Sequence, residues 1–278
     1  MSRPVLRYHG GKWKLAEWII GNLPPHRVYV EPFGGAASVL LRKPRSYAEV
    51  YNDLDGEIVN LFRVLREQPR RLVRELVWTP FSRDEYRAAF ARAEDPVEAA
   101  RRTIVRSFMG FGSDSIKRAA KSGFRSNSSR SGTTPAHDWA NYPRSLRETA
   151  RRLRGVVIEH KAADGVIATH DSPETLFYLH PPYVHATRAL GVMPGSHGYT
   201  HEMSDADHET LAERLAAVAG MVGLSGYHGA LYDRLYASWE RIEVAALADG
   251  AARRTEVLWF NAAAWRARKQ PTQEAFAL

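Results

Sequence analysis

The stretch Leu176-Phe177-Tyr178-Leu179-His180-Pro181-Pro182-Tyr183 decides how the rest of the chain is arranged. An apolar run of strand length ends here in two prolines, which cannot continue a central β-ladder. We therefore expect His180 and Tyr183 to lie where a buried strand opens into a loop, the edge at which open α/β sheets bind ligands. Rigid prolines, a carbonyl oxygen and an aromatic ring are suited to holding a base that has left its duplex. A strand followed by a plain proline turn fits the same residues equally well.

The composition is that of an ordinary soluble globular chain. Its 278 residues, 44% hydrophobic and 25% charged, suffice for one large domain or one domain with an insert. The absence of cysteine excludes disulfides, thiolate zinc sites and cysteine nucleophiles, and it is compatible with a reducing cytoplasm. No apolar run is long enough to predict a membrane span, so we expect no membrane partner. The net charge of +8 favours a polyanionic partner such as nucleic acid, although many basic proteins have none.

Two glycine-containing turns precede predicted helices near the N-terminus. The first turn precedes a helix predicted for residues 13–20 and has the sequence Arg7-Tyr8-His9-Gly10-Gly11-Lys12. It either holds an anionic group or merely starts that helix. Val28-Tyr29-Val30-Glu31-Pro32-Phe33-Gly34-Gly35 predicts a strand, a tight turn and a helix. Glycines there let the backbone approach a ligand, and Glu31 can receive a cationic group. The dinucleotide G-x-G-x-x-G spacing is absent, which points away from NAD.

A second predicted strand, residues 47–51, ends in Asn52-Asp53 before a helix predicted for residues 57–66. A carboxylate at the end of the second strand of a βαβ unit is where ribose hydroxyls are held in this fold class. Asp53 could instead cap the helix, and in isolation that is the commoner role.

The character of the sequence changes between residues 78 and 153. Helices predicted for residues 84–93 and 96–108 are followed by a stretch, 110–141, without core-forming periodicity. Small polar residues and the aromatic residues Phe111, Phe124 and Trp139 alternate there with five basic residues: Lys117, Arg118, Lys121, Arg125 and Arg130. Such a mixture is suited to contacting DNA phosphates and probing base steps, and it is also typical of a solvated loop.

The strand pattern resumes in the last part of the chain. Strands are predicted at residues 156–159 and 221–226, with a closing hairpin from 242–246 and 256–261. Ser204 is the predicted N-cap of the helix that contains residues 211–218. His201 and His208 lack the spacing of a helical metal pair, so we expect no metal.

Together these motifs occur in an order that resembles the Dam-like family of DNA adenine-N6 methyltransferases, particularly its phage and prophage members. The motifs are Tyr8-His9-Gly10-Gly11-Lys12, Glu31-Pro32-Phe33-Gly34-Gly35, Asn52-Asp53, the variable basic insert and Pro181-Pro182-Tyr183. Later segments such as His201-Glu202-Met203 and residues 254–259 are similar to the same family, so the resemblance covers nearly the whole chain.

The resemblance implies an α/β fold with a Rossmann-like, seven-stranded, S-adenosylmethionine-dependent methyltransferase sheet. Residues 1–77 and 154–278 would form this core, and residues 78–153 a helical target-recognition insert. It further implies site-specific methylation of adenine N6 in double-stranded DNA within a bacterial or phage-infected cytoplasm, as in restriction-modification. It says nothing of the oligomeric state.

The resemblance also assigns roles to residues. S-adenosylmethionine would be held by Tyr8 and Lys12, by the turn Glu31-Pro32-Phe33-Gly34-Gly35, by Asp53 at the ribose and by Asp164 near the cofactor adenine. The segment His180-Pro181-Pro182-Tyr183 would hold the flipped target base without a metal.

The chain departs from the family at His180, where the family has Asp, Asn or Ser. A carboxylate accepts a hydrogen bond from the target amine and raises the electron density on its nitrogen, whereas a neutral imidazole accepts one without adding charge. A protonated imidazole cannot accept at all. His180 therefore either cripples an otherwise intact enzyme or belongs to an altered active site. The alternatives to adenine methylation are a catalytically silent DNA-binding homologue and cytosine-N4 methylation.

Overall fold

A seven-stranded sheet forms the centre of the molecule, for which a computed structural model describes residues 1, 3–118, 122–127, 132–187, 199–247 and 253–269. The strands are β1 (Val28–Glu31), β2 (Ala48–Asn52), β3 (Val156–Glu159), β4 (Thr175–Leu179), β5 (Met221–Gly226), β6 (Glu240–Leu247) and β7 (Arg253–Phe260). Their order is β3-β2-β1-β4-β5-β7-β6. Neighbours from β3 to β5 are parallel, and β7 is antiparallel to both β5 and β6. The predicted Rossmann-like sheet is confirmed.

The strand order reverses between β1 and β4. From β1 the chain moves outward through β2 to β3, then returns to β4 on the other side of β1 and continues to β5. Loops that leave a sheet at such a switch point diverge and open a crevice at the carboxyl ends of the strands. Glu31 ends β1 and His180 follows β4, so both residues lie at this crevice.

Helices cover both faces of the sheet. The described helices are α1 (Ala16–Asn22), α2 (Ser38–Arg42), α3 (Gly56–Glu67), α4 (Pro69–Val77), α5 (Arg83–Ala88), α6 (Pro96–Met109), α7 (Pro135–Arg152), α8 (Ala163–His170), α9 (Asp205–Ala216), α10 (Ala230–Leu235) and α11 (Ala262–Arg268). The Ser204 hydroxyl oxygen accepts a hydrogen bond from the Asp207 backbone N–H, and the Ser204 backbone N–H donates to the Asp207 carboxylate. This capping box confirms Ser204 as an N-cap. Among these helices, none has both the length and the apolar character needed to cross a membrane.

Alternate residues of the central strands enter two hydrophobic clusters, one on each face. Tyr29, Tyr51 and Tyr178 belong to the cluster packed against α1 to α7. Val30 and Phe177 belong to the opposite cluster, which includes residues of α8, α9 and α10. Burial on both faces explains why these strands read as continuous apolar runs.

The helices between residues 78 and 153 share the first of these clusters with the sheet. Trp139 is 4% exposed in α7 and donates from Nε1 to the Thr79 carbonyl oxygen at 2.8 Å. Phe124 packs against Phe81, with ring centroids 5.0 Å apart. The prediction that residues 110–141 lack core-forming periodicity is therefore wrong for residues 135–141. The apolar positions of α7 are too widely separated by polar residues to stand out before the helix is packed.

Candidate active site

A cavity of about 890 Å³, including its open mouth, lies at the carboxyl ends of β1, β2 and β4. Its walls come from the predicted glycine turn, the residues after β2 and β4, the N-terminal segment and the segment 199–203. The sequence motifs predicted that the first four of these parts lie together, but they assigned no role to the segment 199–203.

The turn after β1 requires glycine because it passes very close to the end of β2. Gly34 donates its backbone N–H to the Asn52 carbonyl oxygen at 2.7 Å. A Cβ on Gly34 would lie 2.2 Å from the Tyr51 ring, and one on Gly35, whose φ is +46°, would lie 2.9 Å from the Tyr8 ring. The backbone itself therefore forms this wall of the cavity.

Asp53 holds the same turn from the opposite side. Its carboxylate accepts hydrogen bonds from the Gly35 backbone N–H at 2.7 Å and from the Asp55 backbone N–H at 2.8 Å. Burial raises the pKa of Asp53, and the two hydrogen bonds oppose this shift. The N-cap of α3 is Asp55, which accepts from the Glu57 backbone N–H. Asp53 is thus a wall of the cavity rather than a helix cap.

Glu31 is a buried carboxylate that lines the cavity. It is 2% exposed, and its Oε1 accepts from the Tyr29 hydroxyl and from the Leu40 backbone N–H, each at 2.7 Å. Burial raises the pKa of Glu31 to about 7, although these two hydrogen bonds favour the charged form. A cationic ligand in the cavity would relieve this desolvation.

The other end of the cavity carries the residues that follow β4. His180 and Pro182 line it, and Nε2 of His180 lies 3.2 Å from the Tyr183 hydroxyl oxygen. Tyr183 is 6% exposed, and its ring centroid is 4.4 Å from that of Tyr227. The predicted stacking of a base on Tyr183 stays a prediction, because in this conformation the ring is buried against another aromatic side chain. Pro181 is buried.

Beneath His180, three residues that are distant in the chain form a buried polar cluster. Lys12 donates from Nζ to the Tyr183 hydroxyl oxygen and to Glu256 Oε2, the latter at 3.0 Å. Tyr183 donates its hydroxyl proton to Glu256 Oε1 at 2.9 Å. The exposed fractions of Lys12 and Glu256 are 7% and 0%. We call Lys12, Tyr183 and Glu256 the buried triad.

The buried triad sets the tautomer of His180. A tyrosine hydroxyl has one proton, and that of Tyr183 is given to Glu256. Nε2 of His180 must then carry a proton and donate it to the same oxygen, which leaves Nδ1 with the ring's lone pair. Burial, together with the positive charge of Lys12 and the neighbouring His9, lowers the pKa of His180 well below its ordinary value. The ring is neutral around pH 7 and can accept one hydrogen bond.

Two groups of predicted residues lie differently from expectation. The Asp164 side chain is 73% exposed and forms an ion pair with Arg214 at 3.0 Å; its neighbour Ala163, not Asp164, lines the cavity.

Arg118 pairs with Glu57 and donates to the Phe90 carbonyl oxygen at 2.9 Å. Arg125 donates to the Phe108 carbonyl oxygen at 3.0 Å. Lys117 is half-buried, and Lys121 and Arg130 lie outside the described residues.

Sequence reasoning gave Glu256 no role. The residue precedes the apolar run Val257-Leu258-Trp259-Phe260, and a carboxylate inside a buried strand needs a cation or hydrogen-bond donors as partners. That signal could have marked Glu256 as important, but it could not identify Lys12 as its partner. The described residues contain no group of three His, Cys, Asp or Glu side chains placed to hold a metal ion.

Comparison with known proteins relates this chain to one family. The family model for D12 class N6 adenine-specific DNA methyltransferase matches residues 8–249. Among curated relatives, a DNA adenine methylase of Vibrio cholerae serotype O1 is 34% identical over 74 residues, and one of Serratia marcescens is 31% identical over 74 residues. Each match covers 27% of this chain and 26% or 27% of the relative. The chain thus spans about a quarter of the length of these relatives.

The raised pKa of Glu31 predicts a pH-dependent stability in the ligand-free protein. The folded state holds a proton between about pH 4.5 and 7 that the unfolded state has lost, so stability falls as the pH rises through this window. Glu31→Gln keeps an oxygen acceptor and removes the buried charge. The difference in unfolding free energy, variant minus native, should therefore grow by about 3 kcal/mol from low to high pH. Urea denaturation at each pH measures it.

Glu49→Gln is the matched control, because Glu49 is also buried but is bonded to Arg152 and Lys43. Burial would raise the pKa of Glu49, but these two cations lower it overall. This variant should lose stability relative to the native protein as the pH rises. A Glu31→Gln difference that does not change with pH would contradict our description of Glu31.

Proposed function

The chain belongs to the D12 class N6 adenine-specific DNA methyltransferases, and from that premise we propose that it transfers a methyl group from S-adenosylmethionine to N6 of adenine in duplex DNA. One observation carries the proposal: a single cavity joins the glycine turn and Glu31 at one end to His180 and Pro182 at the other. A methyl donor and a target base need such a shared space, because the reacting atoms must meet in line.

The first end of the cavity fits the cofactor. S-adenosylmethionine supplies an electrophilic methyl group on a positively charged sulfur, and it also carries an ammonium group. The buried carboxylate of Glu31 would attract this positive charge, and the backbone of Gly34 and Gly35 would let the ligand approach closely. Asp53 accepts two backbone hydrogen bonds and still has lone pairs with which to receive ribose hydroxyls.

Tyr8 and Lys12 have different parts in this proposal. Tyr8 lines the cavity and covers Gly35, so it would border the cofactor directly. Lys12 also lines the cavity, but its ammonium group is bonded to Tyr183 and Glu256. We therefore propose that Lys12 stabilises the end of the cavity at His180, where the target base would lie; we call this the base end.

At the other end, His180 would hold the target amine. Its Nδ1 lone pair can accept an N–H of the extruded adenine, which orients the nitrogen toward the methyl group. The amine must lose one proton when it is alkylated, and a neutral imidazole can receive that proton. The ring adds no negative charge before the transfer, so it stabilises the transition state less than a carboxylate would.

We propose that the duplex is held partly by the basic residues between 111 and 131. Lys117 and Lys121 are the candidates for phosphate contact, together with Arg130. Arg118 hydrogen-bonds to Glu57 and to the Phe90 carbonyl oxygen, and Arg125 hydrogen-bonds to the Phe108 carbonyl oxygen; these contacts position the segment. A bacterial or phage-infected cytoplasm, with a role in restriction-modification, is the expected setting.

Replacing both Lys117 and Lys121 by Gln should reduce the slope of log K against log salt by roughly one unit per lost phosphate contact. Fluorescence anisotropy of a labelled duplex at several salt concentrations measures that slope. Arg118→Gln is the control: it should leave the slope nearly unchanged and lower the thermal stability, because Arg118 is bonded to Glu57 and Phe90. An unchanged slope in the double variant would move the DNA surface elsewhere.

His180→Asp should raise the single-turnover rate of adenine methylation by roughly one to three orders of magnitude, since the added charge is worth about 2 to 4 kcal/mol at the transition state. Cofactor affinity should change little. Assays on an adenine-containing duplex with saturating cofactor measure the rate.

His180→Asn separates charge from hydrogen bonding, because an amide accepts a hydrogen bond without a negative charge, and its rate should stay near that of the native protein. Because the pKa of His180 is lowered, protonation of the ring should not reduce the methylation rate of the native protein near pH 6.5. A slower His180→Asp variant would show instead that His180 is adapted to its own chemistry.

A further inference from the structure

A second concave surface lies between α4 and α7, and its walls are arginines. We call it the arginine groove: Arg66, Arg70, Arg74, Arg147, Arg151 and Arg154, with about 1250 Å³ of space including the open side. Val77 and Trp78, which also line it, are 57% and 81% exposed. A patch that combines large exposed apolar side chains with this many cations marks an interaction site.

The arginines are placed by the packing of the two helices. Leu72 and Leu76 of α4 and Leu146 of α7 are buried in the core, which turns the neighbouring positions outward. Arg70 and Arg74 are one helical turn apart on α4, as are Arg147 and Arg151 on α7. Like charges at this spacing repel each other and disfavour the helix mildly. A polyanion in the groove would relieve that repulsion.

Most of this charge is not neutralised by the protein. Arg66 pairs with Glu67 and Arg74 with Glu75, both at exposed positions where such pairs are weak. Across the described ranges, the side chains of Arg70, Arg147, Arg151 and Arg154 form no ion pair.

Arg45 fixes the C-terminal end of α7. It donates to the carbonyl oxygens of Arg151, Arg152 and Arg154 at 2.6 to 2.9 Å. These hydrogen bonds fix the backbone at Arg151 and Arg154, so the side chains of both residues extend into the groove from a fixed backbone.

The groove is remote from the cavity described above. Arg66 donates to the carbonyl oxygen of Val156, the first residue of β3, and Arg154 lies two residues before that strand. The groove thus lies at the amino ends of the parallel strands, whereas the cavity lies at their carboxyl ends. A duplex whose target base occupies the cavity would not reach the groove without wrapping around the molecule.

We propose that the arginine groove binds the sugar-phosphate backbone of a second segment of nucleic acid. Arginine forks match phosphate oxygens, and four of the six lack a competing carboxylate. Trp78 at the rim offers a face on which an unpaired base can stack. The inference goes beyond methyl transfer and does not depend on it.

The test compares DNA binding by the native protein with that of Arg70→Gln/Arg147→Gln/Arg151→Gln. Fluorescence anisotropy with a labelled duplex or single strand should show a salt slope smaller by roughly two to three units in this variant. The matched control, Arg87→Gln/Arg234→Gln/Arg266→Gln, removes the same charge from exposed positions elsewhere and should keep the native slope. Equal slopes in the two triple variants would overturn the proposal. If the groove variant does not fold, Arg147→Gln and Arg151→Gln singly should each lower the slope by about one unit.

Two further arms identify the ligand. Trp78→Ala should weaken single-strand binding roughly tenfold or more if a base stacks there, and should leave duplex binding unchanged. Polyglutamate that competes as well as DNA would show that the groove takes acidic polypeptides, which contradicts the proposal. Methylation of a short duplex should be the same in the groove variant and its control. If the native protein methylates the duplex but the groove variant keeps the native salt slope, this inference fails and the proposed function stands. If the groove variant has the smaller slope but the native protein does not methylate adenine, the proposed function fails and this inference stands.

Discussion

The buried ammonium group of Lys12 is the interaction on which the base end of the cavity depends. A buried lysine without a carboxylate would cost several kcal/mol, and Glu256 and the Tyr183 hydroxyl supply the compensation. These three side chains come from the N-terminal segment, from the loop after β4 and from β7. The closing hairpin is therefore tied to the motif at the centre of the sheet. His180 rests on this cluster, and the hydrogen bond to Tyr183 determines which ring nitrogen is left to accept.

The cofactor end is built by a different constraint. Gly34 passes so close to Tyr51 and Asn52 that no side chain fits, and Asp53 fixes the turn through the Gly35 backbone N–H. The turn thus brings its backbone and the carboxylates of Glu31 and Asp53 to the same wall. Burial raises the pKa of both carboxylates, so negative charge at this wall is costly unless a cationic group lies beside it. A ligand that carries positive charge gains from both carboxylates.

Much of this arrangement follows from local sequence. Strand-length apolar runs, the glycine turn after β1 and the N-cap at Ser204 are all decided by neighbouring residues. The apolar strand that ends at His180 indicated a ligand site at that edge of the sheet. The roles of Glu256 and Arg118 depended on partners far away in the chain, Lys12 and Glu57, which no local pattern identifies. The sequence pattern placed Trp139 in a basic loop. Its burial depends on packing between helices, which no local pattern shows. Asp164 lies in the first turn of α8, next to Ala163, which lines the cavity. No local pattern decides which of these two neighbouring side chains faces the cavity.

Nucleoside mass spectrometry tests the central claim most directly. Duplex DNA is incubated with the protein and isotopically labelled S-adenosylmethionine, digested to nucleosides and analysed for the label. Our account predicts labelled N6-methyladenine. Label in N4-methylcytosine, or no label from a protein that demonstrably binds both cofactor and DNA, would contradict it.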